Sequence, residues 1–399
     1  MDLDFTGDED AFRAEARAWL ADHVPTTPLP SLETAAGFAA HRAWERRLSA
    51  DRWSVVSWPE RYGGRGASLL QWLIFEEEYY AAGAPGRVSQ NGINLLAPTL
   101  LEHGTDEQRD RILGPMARGD VIWAQAWSEP EAGSDLASLR STAVRTDGGW
   151  LLNGQKTWSS RAAFADRAFG LFRSEPDTPR PHQGLTYLMF PLDAPGVTVR
   201  PIGRLDGKPA FAELFLDEVF VPDADVIGAP GQGWRVAMST AGNERGLTLR
   251  SPGRFTAAAG RLTALWREAP GEAGPALRDR VADAVIGARA YQLFAYAHVS
   301  RLADGRTAGR AEPDVPADAA ASSLNKVFWS ELDIALHEAA LDLLGPYGTL
   351  TDDADEAVAQ GSWAEGYTFS LAGPIYAGTN EIQRDIIAER LLGLPKGRR

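Results

Sequence analysis

The feature that most narrows what this chain can fold into is a change of hydrophobic period. Up to about residue 120, apolar side chains recur at helical spacing, as in Phe12, Ala16 and Trp19. The chain then switches to strand-length apolar runs broken by proline and glycine turns: Thr142–Arg145, Trp150–Leu152, Gln155–Trp158, Leu185–Phe190, Val197–Pro201 and Phe211–Val221. After Gly228-Ala-Pro-Gly-Gln-Gly233, a flexible exit, long helical patterns return. Helices, strands, helices is an α+β order. It divides the chain into an N-terminal helical domain (1–120), a middle β domain (121–231) and a C-terminal helical domain (232–399). Capping boxes at Thr6-Gly-Asp-Glu9 and Thr105-Asp-Glu-Gln108 mark helix starts, and a helix from about Leu69 stops at Gly83 and Pro85. Asp147-Gly148 and Asn153-Gly154 read as hairpin turns. The span 301–316, rich in Gly, Pro, Arg and Asp, reads as an exposed loop.

Two stretches of the middle region carry chemistry. Trp123-Ala-Gln-Ala-Trp-Ser-Glu-Pro-Glu-Ala-Gly-Ser-Asp135 starts as a strand and breaks at Pro130 into a loop with Gly133, Ser134 and Asp135. Such a loop offers hydroxyls and backbone N–H groups with little bulk, as the edge of a planar cofactor or a polar ligand tail requires. It also reads as an ordinary strand-to-turn exit. The second stretch, Asn153-Gly-Gln-Lys-Thr-Trp-Ser-Ser160, ends on Trp158 and two serines; Trp158 alone reads equally as a hairpin aromatic in a core.

Other chemistries are excluded or disfavoured. Without cysteine there is no disulfide, thiolate metal site or cysteine nucleophile. The six histidines are scattered, with no pair at metal-ligand spacing, so no metal site is expected. The glycines of Trp53–Gly66 lack the Gly-Lys-Ser/Thr ending of a phosphate loop, and those of 228–233 are not a dinucleotide fingerprint. A net charge of −14 argues against nucleic acid or an anionic membrane as partner. No apolar run approaches the roughly 20 residues of a membrane span, and the acidic start Met1-Asp-Leu-Asp-Phe5 is unlike a signal peptide, so a cytoplasmic enzyme is expected.

The two stretches resemble flavin-facing segments of the acyl-CoA dehydrogenase family, which read roughly T/S-E-P-x-A-G-S-D and N-G-x-K-x-W-I-T/S. Trp58–Gly66 is similar to the family's W-P-x-x-Y-G-G-x-G, and the resemblance runs through nearly the whole chain. It implies FAD as cofactor and α,β-dehydrogenation of an acyl thioester, tethered to CoA or to a carrier protein. A carboxylate takes the α proton, and the β hydrogen leaves as hydride to flavin N5. By position, Gln125, Trp127, Ser128, Trp158 and Ser160 face the flavin, Ser134 meets the pantetheine arm, and Gly345, Thr379 and Glu381 contact the FAD tail. Leu343-Leu-Gly-Pro-Tyr-Gly348 resembles an L-G-G-x-G segment that binds FAD across a subunit interface, with Pro346 replacing a glycine and Asp342 standing where glutamine is common. The resemblance further implies a homodimer or homotetramer, or a heteromer, and an electron-transfer flavoprotein or similar acceptor.

The base is the deciding position. Many family members carry it in I-Y-E-G-T; here the segment is Ile375-Tyr-Ala-Gly-Thr379, and Ala377 takes no proton. Its backbone N–H retains the role of binding the thioester oxygen. Members resembling isovaleryl-CoA dehydrogenase place a glutamate in M-S-G-L-D-L-E-R. This chain has Met238-Ser-Thr-Ala-Gly-Asn-Glu-Arg245, with Glu244 in register and Arg245 beside it on the substrate side. A Glu-Arg pair is otherwise an ordinary solvated helix dipeptide. Two further readings stand beside the dehydrogenase: a non-catalytic subunit of a heteromeric dehydrogenase, and a flavin oxidase or oxygenase on the same scaffold.

Overall fold

The computed structural model describes residues 4–245, 251–268, 274–307 and 315–396. In chain order the helices α1 (Gly7–His23), α2 (Ala35–Ala50), α3 (Leu69–Ala81), α4 (Ala97–His103) and α5 (Asp106–Ala117) come first. The strands β1 (Trp123–Ala126), β2 (Thr142–Thr146), β3 (Gly149–Ser160), β4 (Arg167–Arg173), β5 (Leu185–Pro191), β6 (Val197–Ile202), β7 (Phe211–Pro222) and β8 (Val226–Ile227) follow. Then come α6 (Gly233–Arg245), α7 (Pro252–Glu268), α8 (Pro275–Thr307), α9 (Val315–Leu344), α10 (Ser362–Ser370) and α11 (Asn380–Ile386). The helix–strand–helix order expected from the period is the order found.

The chain clusters into two compact units that interleave in sequence. One joins residues 1–24, 67–84 and 245–399; the other joins 25–66 and 85–244. In the first, α3, α7, α8 and α9 pack in succession, with α1 on α3 and with α10 and α11 on α9. Its helices begin where local chemistry says they should. Thr6 and Glu9 form a complete capping box on α1, and Ser68 with Gln71 forms another on α3. Phe12, Ala16 and Leu20 give α1 one buried stripe at i, i+4 and i+8. Beside it Glu78 of α3 accepts from Arg13 Nη1 (2.9 Å) and from Arg17 Nε (2.8 Å) and Nη2 (2.9 Å). Of the span 301–316, read from its composition as a loop, the described residues 301–307 and 315–316 are helical. Residues 301–307 continue α8, 308–314 lie outside the described residues, and α9 opens at Val315. A single glycine costs a helix only about 1 kcal/mol, which the Arg, Leu and Ala neighbours and a 33-residue helix absorb.

The second unit holds the sheet. Its strand order is β6-β7-β3-β2-β4-β5-β8, with β1 paired in parallel to β4. The hairpin at Asp147-Gly148 forms as expected, joining β2 to β3 with Thr146 opposite Gly149. The turn expected at Asn153-Gly154 does not form. β3 runs straight through it for 12 residues, pairing with β2 on one side and β7 on the other, and the register against β7 slips between Leu152 and Gly154. Turn chemistry has been spent on a bulge, because both need a residue tolerant of positive φ. Gly154 sits at φ +141°, and the Asn153 side-chain oxygen accepts from the Glu218 N–H at 2.9 Å. β4 was not expected as a strand. Its Gly170 breaks the apolar run in sequence but lets β1 lie close: a Cβ there would stand 2.3 Å from the Ala126 carbonyl oxygen. Ala124, Ala126, Trp150, Leu152, Phe172, Phe190 and Leu214 belong to the core of this unit.

Two stability predictions follow from these contacts. In Gly154→Ala the new Cβ would lie 2.3 Å from Ser141 Oγ and 2.7 Å from its Cα, at a backbone angle that L residues rarely adopt. A loss of about 2 kcal/mol is expected in urea titration; an unchanged midpoint would show that the bulge is not what requires glycine. Glu78 is held below the usual carboxylate range: burial opposes its charge, and the hydrogen bonds and charges of Arg17 and Arg13 outweigh it. Its folded value therefore lies below the ordinary 4.5, so its contribution is present above pH 4.5 and lost as pH falls through the folded value. Glu78→Gln should cost about 1–2 kcal/mol at pH 7 and blunt that acid loss. Denaturation curves of both proteins at pH 7 and pH 4 check the sign.

Candidate active site

The strand β1 alternates cleanly. Ala124 and Ala126 point into the core of the β unit, so Trp123, Gln125 and then Trp127 take the other face. On that face Trp123 Nε1, Gln125 Nε2 and Trp127 Nε1 are buried donors with no hydrogen-bond partner. Buried polar groups are normally paired, and a strand with three orphaned donors in a row is built to meet acceptors that a ligand brings. The carbonyl and ring-nitrogen edge of a flavin offers such acceptors. On this observation the residues fit FAD.

After β1 the chain makes a tight loop in which Glu129 and Ala132 exchange both backbone bonds, 3.0 and 3.1 Å. Gly133, Ser134 and Asp135 follow, all exposed. The two stretches singled out in the sequence are joined directly, since the Thr157 N–H donates to the Ser128 carbonyl at 2.9 Å. Trp158 is not the core aromatic of the bland reading. β3 slips register a second time between Lys156 and Ser159, Trp158 takes φ +59°, and its side chain is 60% exposed with its ring edge-on to Phe211. A bulge that re-aims a large aromatic outward is a feature typical of sites. Ser160 is half-buried, and Arg161, again at positive φ, donates to the buried Glu33 at 3.1 and 3.2 Å.

Sequence reasoning missed the group that ties these stretches. Lys156 is fully buried; its Nζ donates to Glu129 Oε1 (2.8 Å), to the Leu171 carbonyl (2.8 Å) and to the Trp127 carbonyl (3.4 Å). Burial pushes its pKa down to about 8 against the opposing pull of Glu129. Burial also works against the Glu129 charge, but Lys156, the Ser141 side chain and the Arg140 N–H outweigh it and hold the carboxyl below its ordinary value. Both partners are thus ionised near neutrality. The sequence held two signals: Glu129 and Lys156 match the glutamate and lysine of the two family patterns, and lysine is rare, four standing against thirty-six arginines, with Lys156 and Lys326 fully buried.

Beneath α6, Thr240 Oγ1 lies 2.7 Å from Thr99 Oγ1 and 3.3 Å from Tyr187 Oη, a buried hydroxyl chain that fixes the helix. Glu244 falls one turn past Thr240 on α6. The side chains of Glu244 and Arg245 lie outside the described residues.

In the helical unit, Ala377 and Gly378 take φ +57° and +80°, and Gln383 Nε2 donates to the Ala377 carbonyl at 2.8 Å. Thr379 caps α11 by accepting from the Ile382 N–H at 3.3 Å. Glu381 is held below its ordinary pKa by its own backbone N–H and by the Thr379 hydroxyl. Asn380 anchors the turn, its side-chain oxygen accepting from Lys326 Nζ at 2.7 Å and from Ser330 Oγ at 3.1 Å. Gly345, at φ +55°, opens a short 3-10 turn that includes Pro346, and Asp342 is committed to Arg280. Among the described residues no cluster of three or more His, Asp or Glu could hold a metal ion, and no helix is long and apolar enough to cross a membrane.

Comparison with known proteins agrees along the whole chain. Residues 6–120 match the acyl-CoA dehydrogenase N-terminal domain, 124–219 its middle domain and 231–392 its C-terminal domain. The chain is 39% identical to the acyl-CoA dehydrogenase IpdE1 of Mycobacterium tuberculosis over 98% of each chain. It is 38% identical to FadE34 of the same organism, covering 85% of this chain and 44% of that protein. Among solved structures it resembles the Tcur3481-Tcur3483 steroid ACAD, with a TM-score of 0.86 at 28% identity over 100% of each chain. It also resembles the ChsE4-ChsE5 complex of Mycobacterium tuberculosis, with a TM-score of 0.83 at 30% identity over 100% of each chain. The chain belongs to the acyl-CoA dehydrogenase family of FAD-dependent oxidoreductases.

Proposed function

We propose that the chain binds FAD non-covalently and dehydrogenates an acyl-CoA at its α,β bond, with Glu244 as the base. The observation that carries the base is the pairing of Ala377, which takes no proton, with Glu244 in register on α6. Glu381 is a poor substitute, because the donors at the start of α11 favour its charged form and weaken it as a base. Glu244 removes the α proton. That proton is too weakly acidic for a carboxylate in water, so hydrogen bonds to the thioester oxygen, with the Ala377 N–H assigned as one, stabilise the developing enolate charge. Exclusion of water strengthens both effects. Bound FAD supplies the oxidation, accepting the β hydrogen and its two electrons. Gln125, Trp127, Ser128, Trp158 and Ser160 are assigned to the flavin, Gly345, Thr379 and Glu381 to the FAD tail, and Ser134 and Arg245 to the substrate.

Relatives named for steroid substrates direct the choice of acyl group toward a bulky, steroid-derived acyl-CoA. A second reading, that the chain works as one half of a two-chain enzyme, is favoured by one observation. The segment Leu343–Gly348 departs from its family pattern, and its Asp342 is spent on Arg280; the two neighbours above are likewise named as pairs. An electron-transfer flavoprotein or similar protein is the proposed acceptor.

Glu244→Gln keeps shape and hydrogen bonding but takes no proton. Turnover should fall by roughly 10²–10⁴-fold, with the flavin spectrum nearly unchanged. Undiminished turnover would refute the assignment, whether measured on the chain alone or with a co-expressed second chain. Gln125→Leu removes a buried unpaired donor, so the melting temperature of the apoprotein should hold or rise while FAD binds about 5–10-fold more weakly. Equal affinity would remove Gln125 from the site, and a colourless chain that takes up no added FAD would overturn the function itself.

A further inference from the structure

We propose that Lys156 and Glu129 act as paired positioning residues for the flavin: the pair fixes the register between the Trp127–Glu129 stretch and the Trp158–Ser160 stretch, and thereby sets the affinity for FAD and the environment of its ring. This rests on the FAD reading above.

The geometry is that of a clamp. The ammonium has three protons and meets three acceptors, of which two, the Trp127 carbonyl and the Glu129 carboxylate, flank Ser128 on either side. The third, the Leu171 carbonyl, belongs to β4. The carboxylate reaches onward. Oε2 accepts from the Arg140 N–H at 2.6 Å and Oε1 from the Ser141 N–H at 2.9 Å, so the loop after β1 is closed at both ends by one side chain. On the other strand Lys156 immediately precedes Thr157, whose N–H holds the Ser128 carbonyl, and then Trp158 on its bulge. A bulge leaves register weakly specified by ladder bonds alone. A charged tie between the bulged strand and its neighbour specifies it.

Stability alone does not account for such a pair. Taking both charges out of water costs several kcal/mol per ion, and neutral packing of the same volume is often as stable or more so. What the neutral alternative lacks is a fixed direction for each of the three bonds. A second buried pair in the same unit serves as the comparison. Arg87 and Glu45 are as deeply buried and as fully bonded, at 2.8 Å to each other, with Ser89 and the Ser54 carbonyl as further partners. These bonds tie α2 to its neighbours, and none of them involves either stretch assigned to the flavin.

The experiment uses the full chain in four forms: Lys156→Met, Glu129→Gln, the double variant, and Arg87→Met as a control matched for burial. Apoprotein melting temperature, FAD dissociation constant by flavin fluorescence, and the visible spectrum of the bound flavin are read for each. Lys156→Met and Glu129→Gln should each weaken FAD at least tenfold and shift the visible band. The double variant should recover melting temperature without recovering affinity. Arg87→Met should lose melting temperature comparably yet keep wild-type affinity and spectrum. If Lys156→Met does not fold, Glu129→Gln decides alone. Wild-type affinity and spectrum in the folded clamp variants would overturn the proposal and leave the FAD reading intact, as would an Arg87→Met variant that weakens FAD equally. A wild-type chain that takes up no FAD would overturn both.

Discussion

The site half of this molecule depends on one strand being held on both sides. β3 pairs with β7 along its 12 residues and with β2 from Gly149 to Asn153, yet slips register twice against β7. Each slip has its own physical allowance. At the first, a glycine accepts a backbone angle closed to other residues while the asparagine beside it bonds across to β7. At the second, no glycine is present, and the backbone of Trp158 bears the strain itself. A tryptophan at positive φ is costly, of the order of 1–3 kcal/mol, and persists only where the surroundings over-determine it. Here they do: Ser159 and Ser160 rejoin the ladder on β7, and Thr157 is bonded to the opposite stretch.

That arrangement explains which parts of the fold were legible. Helix starts could be read because a capping box is complete within four residues and needs nothing from the rest of the chain. The hairpin at Asp147-Gly148 could be read for the same reason. Asn153-Gly154 has identical local chemistry, and only the presence of β7 alongside turns it into a bulge, so its reading needed tertiary information. Gly170 misleads in the same way, since a glycine that permits close approach of another strand looks in sequence like a break. At 301–307 the error ran the opposite way, as composition favoured a turn while a long helix tolerated the glycine.

The candidate site divides along the same line. The two stretches assigned to the flavin were legible as patterns, and the structure adds how they are shaped: alternate donors on β1 stand without partners, and an aromatic is driven outward on a bulge. Lys156 and Glu129 were legible as pattern positions but not as a buried pair, because a charged residue in a strand ordinarily marks the solvent side. Their burial shows only when three acceptors are found around one ammonium. Lys326 escaped notice likewise, since it supports the 375–381 turn, through Asn380, from a position distant in sequence. Glu244 stands on register and on the missing carboxylate at Ala377, and its side chain lies outside the described residues.

The scarcity of lysine has a practical corollary. With guanidinium as the usual cation, the chain presents few primary amines, and two of them are sealed: Lys156 inside the β unit and Lys326 inside the helical unit. An amine-reactive label reaches either one only when its own unit opens. The two side chains are therefore natural reporters, one for each unit, of how often that part of the native protein breathes. Their labelling rates can be compared within one molecule, without any engineered probe.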